Sequence, residues 1–261
     1  MVNFRYYDPK QIFQDENALL HEMTGSCNRA VAKSFIHSRN LTHTQAHQCN
    51  PDTHNRGNQY DRNAGAAQLY YKNGTDIYQI SGVENKEYHC VSYGNKYFKD
   101  ESRYDADVQK EATSYGHSER ILMRDILDDL IKFDKSSDDS YTIPPRPSDQ
   151  GNSEYKILKY LTNNASKYKE YLEHKNLIVK MWSERPACNE ESNENIGGGN
   201  CNSFINDICP EGSQFGFIVQ NYTRDDNKLG VPKVRDAFNA FTTAYTRAYP
   251  QDDIGVLGAE G

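Results

Sequence analysis

The stretch GHSERILMRDIL, Gly116 to Leu127, decides how the rest of the chain is read. Ile121, Leu122, Ile126 and Leu127, continued by Leu130 and Ile131, recur at helical spacing. They predict an amphipathic helix that opens at His117. His117 and Glu119 stand before the apolar stripe, near the helix start, where two polar side chains can face a pocket. One reading makes His117 a partly buried histidine and Glu119 a favourable anion at the positive end of the helix dipole. The other makes them a metal ligand and a proton-shuttling carboxylate. The remaining ligands must then come from elsewhere in the chain.

Outward from this helix the pattern alternates between strands and helices. Upstream, residues 11–38 read as helical, with Ala30, Val31, Phe35 and Ile36 as apolar positions. Asn40 to Asn63 is rich in Asn, His, Asp and Gln and reads as a long loop or a boundary. AAQLYYKNGTDIYQIS reads as a β-hairpin around Asn73-Gly74, and EYHCVSYGNKYF as another strand pair or a strand and turn. Downstream, residues 134–153 form a Ser/Asp/Pro-rich surface insert. A helix is expected over 154–173, a buried strand at NLIVKMW (176–182), a short helix at CNSFINDIC (201–209), a strand at SQFGFIVQNY (213–222) and a last helix at 232–249. This order predicts an α/β layered domain around one central sheet. The expected division is an N-terminal helical and loop extension over 1–60 and the layered domain over 61–261.

Composition narrows the class. The chain has 261 residues and a formal net charge of -7, which argues against a general polyanion binder but leaves room for a local basic groove. No run of about 18 apolar residues exists, so no membrane span is expected, and MVNFRYYDPK lacks the apolar run of a signal peptide. The six cysteines are Cys27, Cys49, Cys90, Cys188, Cys201 and Cys209. They are too sparse for a disulfide scaffold and are read as reduced, which leaves metal binding as the special use of any clustered thiols.

Two of these thiols are well placed. The NLIVKMW strand runs into SERPAC, Ser183 to Cys188, and Cys201 starts the next helix after a Gly-rich polar loop. A helix N-terminus lowers a thiol pKa and offers free N–H groups to sulfur. His117, Cys188 and Cys201 together give one nitrogen and two sulfur ligands. On Zn²⁺ this leaves a fourth position open, as in catalytic sites. Zinc lowers the pKa of a bound water toward about 7, and Glu119 is placed to move that water's proton. The pattern matches the H-x-E and later P-C-x-x-C signature of zinc-dependent nucleobase deaminases, in which the Glu is not a ligand. Cys209 is the alternative third ligand; Cys201 is preferred because it begins the helix that Cys209 ends. A second group, His43, His47 and Cys49 in HTQAHQC, has metal-like spacing but sits in a polar, Asn-rich loop and reads as solvated. Arg120 and Arg124 read as solvated helix charges.

GHSERIL followed by MWSERPAC and GGGNCNSFINDICPEGSQFGFIV resembles the cytidine-deaminase-like superfamily, most of all the deaminase domains of bacterial polymorphic toxins and secreted effectors. The resemblance covers Gly65 to Tyr249. It implies a three-layer α/β/α fold with a central mixed sheet. It also implies zinc on His117, Cys188 and Cys201, Glu119 as general acid and base, and Ser183 on a turn that contacts the base. Trp182, the only tryptophan, directly precedes that turn and reads equally as core or as pocket wall. Two departures stand out. Ala187 separates Pro186 from Cys188, and twelve residues instead of two separate Cys188 from Cys201.

The implied activity is hydrolytic deamination of a nucleobase, cytosine before adenine, in nucleic acid or a nucleotide. The implied setting is a toxin or effector secreted or delivered from a bacterium without a cleaved signal, acting in the target-cell cytoplasm and countered by an immunity protein. The alternative is a zinc-containing binding module of the same fold without catalysis. From Pro186 to Thr223 the chain has no Lys or Arg and carries Glu190, Glu191, Glu194, Asp207 and Glu211, so part of the rim is expected to be acidic. A polymer would then approach by way of Arg120 and Arg124, or Arg224, Lys228 and Lys233, with Tyr70, Tyr71 and Tyr93 as candidate stacking rings.

Overall fold

The run Leu177–Ser183 is a strand with all seven residues buried. A strand buried on both faces must be covered from both sides, and the molecule is organised to do this. The computed structural model describes residues 1–9, 29–39, 63–80, 87–92, 115–133, 141–148, 150, 154–189, 200–220 and 230–254. Among these, the elements in chain order are β1 (Asn3–Tyr6), α1 (29–39), β2 (Ala64–Tyr71), β3 (Tyr88–Val91), α2 (Ser118–Phe133), α3 (Glu154–Asn163), α4 (Ala165–His174), β4 (Leu177–Ser183), α5 (Cys201–Ile208), β5 (Gln214–Phe217) and α6 (Gly230–Ala248). The strands form one mixed sheet in the order β1-β5-β4-β2-β3. β1, β5 and β4 run parallel, and β2 runs antiparallel to both β4 and β3. The α/β class expected from the sequence is therefore present.

Alternation along β4 assigns the two faces. Leu177, Val179 and Met181 join one core with Ile121, Leu122 and Ile126 of α2, Tyr168 and Leu172 of α4, and Phe204 and Ile208 of α5. Trp182 points the other way, into a core with Val31 and Phe35 of α1 and Val234, Phe238, Phe241 and Tyr245 of α6. Phe35 meets Phe238 and Phe241 edge-on at 5.7 and 5.3 Å. Two glycines set close approaches. A Cβ on Gly65 would lie 3.1 Å from Leu122 Cδ1 and 3.1 Å from the Trp182 carbonyl, so its absence lets α2 settle onto the sheet. Gly216, the register partner of Trp182, leaves room for the indole.

Several local expectations change. Residues 3–6 form the edge strand of the sheet and α1 belongs to the core on one of its faces, so both are built into the layered domain rather than lying apart from it. The helix expected over 154–173 is two helices broken at Asn164, whose side-chain amide bonds the Tyr160 carbonyl at 2.9 Å in competition with the helical backbone. After β2 the chain closes a wider loop than a two-residue turn. Asn73 Oδ1 accepts from the amides of Thr75 and Asp76, and only Gly74 there takes a positive φ, of 77°. The strand expected over 213–222 is limited to Gln214–Phe217. Cys90, Cys188, Cys201 and Cys209 are free thiols. Cys27 and Cys49, with His43 and His47, lie outside the described residues. No helix among the described residues is long and apolar enough to cross a membrane.

An ionic lock joins α1 to the segment after α6. Arg29, the first described residue of α1, forks onto Asp252, which also accepts from the Tyr245 hydroxyl. These two hydrogen bonds hold the Asp252 carboxyl down to about 2. An unfolded chain titrates this group near 4, so its stabilisation is complete above about pH 4 and is lost as the pH falls through about 2. Thermal melts across that window should show the wild type losing more stability than Asp252→Asn. Equal acid slopes would remove the lock from the stability account.

Candidate metal centre

Three elements deliver the sulfur and nitrogen atoms to one point. His117 precedes α2, and its carbonyl accepts from the amides of Arg120 and Ile121, which places it at the helix N-cap. Cys188 follows the turn at the end of β4. Cys201 is the first residue of α5, whose start is capped by Asn200 Oδ1 accepting from the Ser203 amide at 2.9 Å. His117 Nδ1 lies 3.2 Å from Cys201 Sγ and 3.5 Å from Cys188 Sγ. The three ligand atoms all fall within 4.8 Å of one another and could hold a metal ion.

The start of α5 also docks Cys188 directly. The Cys201 amide donates to Cys188 Sγ at 3.4 Å and the Asn202 amide to the Cys188 carbonyl at 3.0 Å. Unsatisfied helix N–H groups thus meet a sulfur, as the sequence suggested. Cys209 sits at the other end of α5, buried, with its sulfur 3.8 Å from Met123 Sδ. Burial pushes its thiol up to about 12. The structure brings Cys201, and not Cys209, to His117.

Electrostatics tie the cluster together. The hydrogen bond shared with Cys201, followed by burial, raises the Cys188 thiol. Burial acts to lower His117, but the hydrogen bond and charge of Cys188 outweigh it, and the imidazole is raised. Glu119, 3% exposed, lies in the first turn of α2 and accepts from Ser118 Oγ at 3.3 Å.

Sequence reasoning misread Arg120, missed Asn63 and left Trp182 open between core and pocket wall. Arg120 is not a solvated helix charge but is 4% exposed. Its guanidinium donates to Cys201 Sγ at 3.0 Å and to Thr162 Oγ1 at 3.2 Å, between the rings of Tyr115 and Phe204. The i, i+3 spacing from His117, which puts both on one helix face, is the signal that could have found it. A buried guanidinium needs polar partners, and the Cys201 sulfur and the Thr162 hydroxyl are two of them. Asn63, read only as part of a boundary, donates to Ser118 Oγ at 2.8 Å and to Ser183 Oγ at 2.6 Å and accepts from the Arg185 amide at 3.3 Å. It joins the start of α2 to the end of β4, and no sequence pattern announced it. Trp182 is not brought to the cluster. It lies on the opposite face of the sheet, packed on Tyr7 and Phe241.

The other expected contacts sort as follows. Ser183 faces the α2 side and is buried against Asn63. Arg124 pairs with Asp125 and Glu154. Tyr70 is fully buried, and Tyr71 ends β2 opposite Leu177, at the far end of β4 from Cys188. Tyr93, Glu190, Glu191, Glu194, Arg224 and Lys228 lie outside the described residues. No known family model, curated protein or solved structure matches the chain.

Two outcomes follow from this geometry. Cys201→Ala should abolish tight metal retention on elemental analysis, while Cys209→Ala should retain it; the reverse pattern would exchange the third ligand. Arg120→Met should weaken the metal about 10–100-fold in chelator competition, the range typical of a lost partner to a metal ligand.

Proposed function

We propose that the chain is a zinc-dependent hydrolytic deaminase of a nucleobase, built on a cytidine-deaminase-like fold. The observation that carries this reading is the convergence of His117 Nδ1, Cys188 Sγ and Cys201 Sγ with Glu119 in the first turn of the helix that supplies the histidine. Zinc fits the donor set. Bonds of about 2.3 Å to sulfur and about 2.0–2.1 Å to nitrogen, at tetrahedral angles, separate N from S by about 3.6 Å. The observed separations are 3.2 and 3.5 Å. Three protein ligands leave a coordination position for chemistry.

When bound, zinc supplies an activated water at neutral pH. The chain's own groups do the rest. With zinc held by His117, Cys188 and Cys201, Glu119 would carry one proton from the water to the ring nitrogen beside the amino-bearing carbon and a second, from the added hydroxyl, to the departing amine. Water adds, ammonia leaves, and cytosine becomes uracil. Arg120 donates to Cys201 Sγ and so helps to fix that sulfur in place. Ser118 and Asn63 orient the carboxylate and the Ser183 turn. Cytosine ranks before adenine, and a single-stranded or flipped base in nucleic acid ranks before a free nucleotide; both rankings come from the family resemblance. The same resemblance supports a toxin or effector role, delivery from a bacterium into the cytoplasm of a target cell, and an immunity protein as partner.

The test pairs activity with metal content. Zinc-loaded protein is incubated with cytidine, its phosphates, single-stranded DNA and RNA, and digests are read by mass spectrometry for uracil and hypoxanthine. Glu119→Gln should keep zinc and lose turnover by about 10²–10⁴-fold, the weight of a general acid and base. Product from free cytidine alone would reject the polymer substrate. A zinc-loaded wild type that converts none of these substrates would leave a metal-containing binding module in its place.

A further inference from the structure

The turn between β4 and Cys188 is held from both faces of the sheet, and one of the two holds comes from far upstream. On the metal side, Asn63 bonds Ser183 and the Arg185 amide. On the opposite side, Glu184 is fully buried, and its carboxylate accepts from Arg39 Nε at 2.7 Å and from a terminal Arg39 nitrogen. The same carboxylate accepts from the Ala64 amide at 3.1 Å. The Glu184 backbone is fixed as well. Its amide donates to the Ala64 carbonyl at 3.2 Å, and its carbonyl accepts from Val219 at 2.9 Å. Arg39 ends the described part of α1, is 3% exposed, and lies 6.0 Å from the Phe238 ring of α6. Four residues after Glu184 the chain reaches Cys188.

We infer that Arg39 is a positioning residue for the metal centre, acting through Glu184 to fix the turn that presents Cys188. The inference rests on reading His117, Cys188 and Cys201 as metal ligands; it does not depend on deamination. The physical reason is directional. A bidentate guanidinium–carboxylate pair admits one relative placement of its two partners, and here those partners are α1 and the end of β4. Burial leaves little water to substitute for either group, so the pair sets position rather than adding a generic surface contact. The upstream helix is thereby coupled to a ligand on the other face of the sheet.

The test uses the full chain with Zn²⁺ and with Co²⁺, whose thiolate charge-transfer band reports sulfur geometry. Arg39→Met alone strands a buried carboxylate and risks unfolding. The informative variant is therefore Arg39→Met with Glu184→Gln, which removes both charges and keeps an acceptor for the Ala64 amide. It should fold by circular dichroism, release metal to a chelator about tenfold more readily, as expected for lost outer support of a ligand, and shift the cobalt band. Arg39→Lys should recover part of the affinity. Arg29→Met breaks the other ionic contact of the same helix, and it should lower the melting temperature without moving metal affinity or the band. Wild-type affinity and an unchanged band in the folded double variant would overturn the inference. Equal metal loss in Arg29→Met would overturn it too, by showing general destabilisation. A wild type that takes up neither ion overturns the metal centre itself, and this inference with it.

Discussion

Burial of β4 on both faces is the constraint from which the rest of the molecule follows. Leu177 to Ser183 carries apolar side chains to both sides, so the strand can exist only inside a sheet that is covered twice. Its neighbours are accordingly a parallel strand on one edge and an antiparallel one on the other. Four helices cover one face and two cover the other among the described residues. Once the strand is central, its C-terminal end is a fixed point. The ligand turn hangs from that point, and α2 and α5 reach it from the covered face. The site is thus a consequence of where a fully buried strand is obliged to sit.

The same constraint explains what could be read in the sequence. NLIVKMW, the stripe of α2 and the α5 segment are legible because burial imposes a period or an apolar run. His117, Cys188 and Cys201 are legible because all three lie at the ends of such elements. β1 is not: NFRY is four residues long, with an exposed-and-half-buried alternation too short to stand out. It becomes a strand only because the edge of β5 is there to pair with it. Trp182 and Ser183 illustrate a different point. Both were candidates for one pocket, yet neighbours on a strand point to opposite faces. Parity allowed only one of them to face α2, and the buried indole with Gly216 opposite it shows which. Asn63 and the Arg39–Glu184 pair stayed hidden because their meaning lies in contacts between residues far apart in sequence.

Charge placement around the cluster has a common logic. Two sulfurs and an imidazole converge, with the buried Glu119 in the adjoining helix turn. The neutralising groups are not surface lysines but Arg120 from the same helix as His117 and the amides at the start of α5. A guanidinium suits this role because its charge persists at any accessible pH and its fork can satisfy several acceptors at once. Arg120 uses that property, reaching sulfur and the Thr162 hydroxyl while its faces rest on two rings.

Twelve residues separate Cys188 from Cys201, and the geometry shows why so long a spacing still brings the two sulfurs together. What the ligands require is that the end of β4 and the start of α5 stay together. The Asn202 amide on the Cys188 carbonyl and the Cys201 amide on Cys188 Sγ do that independently of the chain between them. Lengthening a connection from two residues to twelve costs about 1.6 kcal/mol of closure entropy, since each doubling adds about 0.6. Structural zinc binding supplies about 10–16 kcal/mol in comparable thiolate sites. The insertion is therefore a small term against the metal, provided both anchors are rigid. Asn200, by capping α5, fixes one anchor. Glu184, by tying the turn to β2, α1 and the segment that follows β5, fixes the other. A close Cys pair obtains its geometry from local chain stiffness; here tertiary contacts hold Cys188 beside Cys201, and the turn before Cys188 is tied through Glu184 to a residue as distant as Arg39.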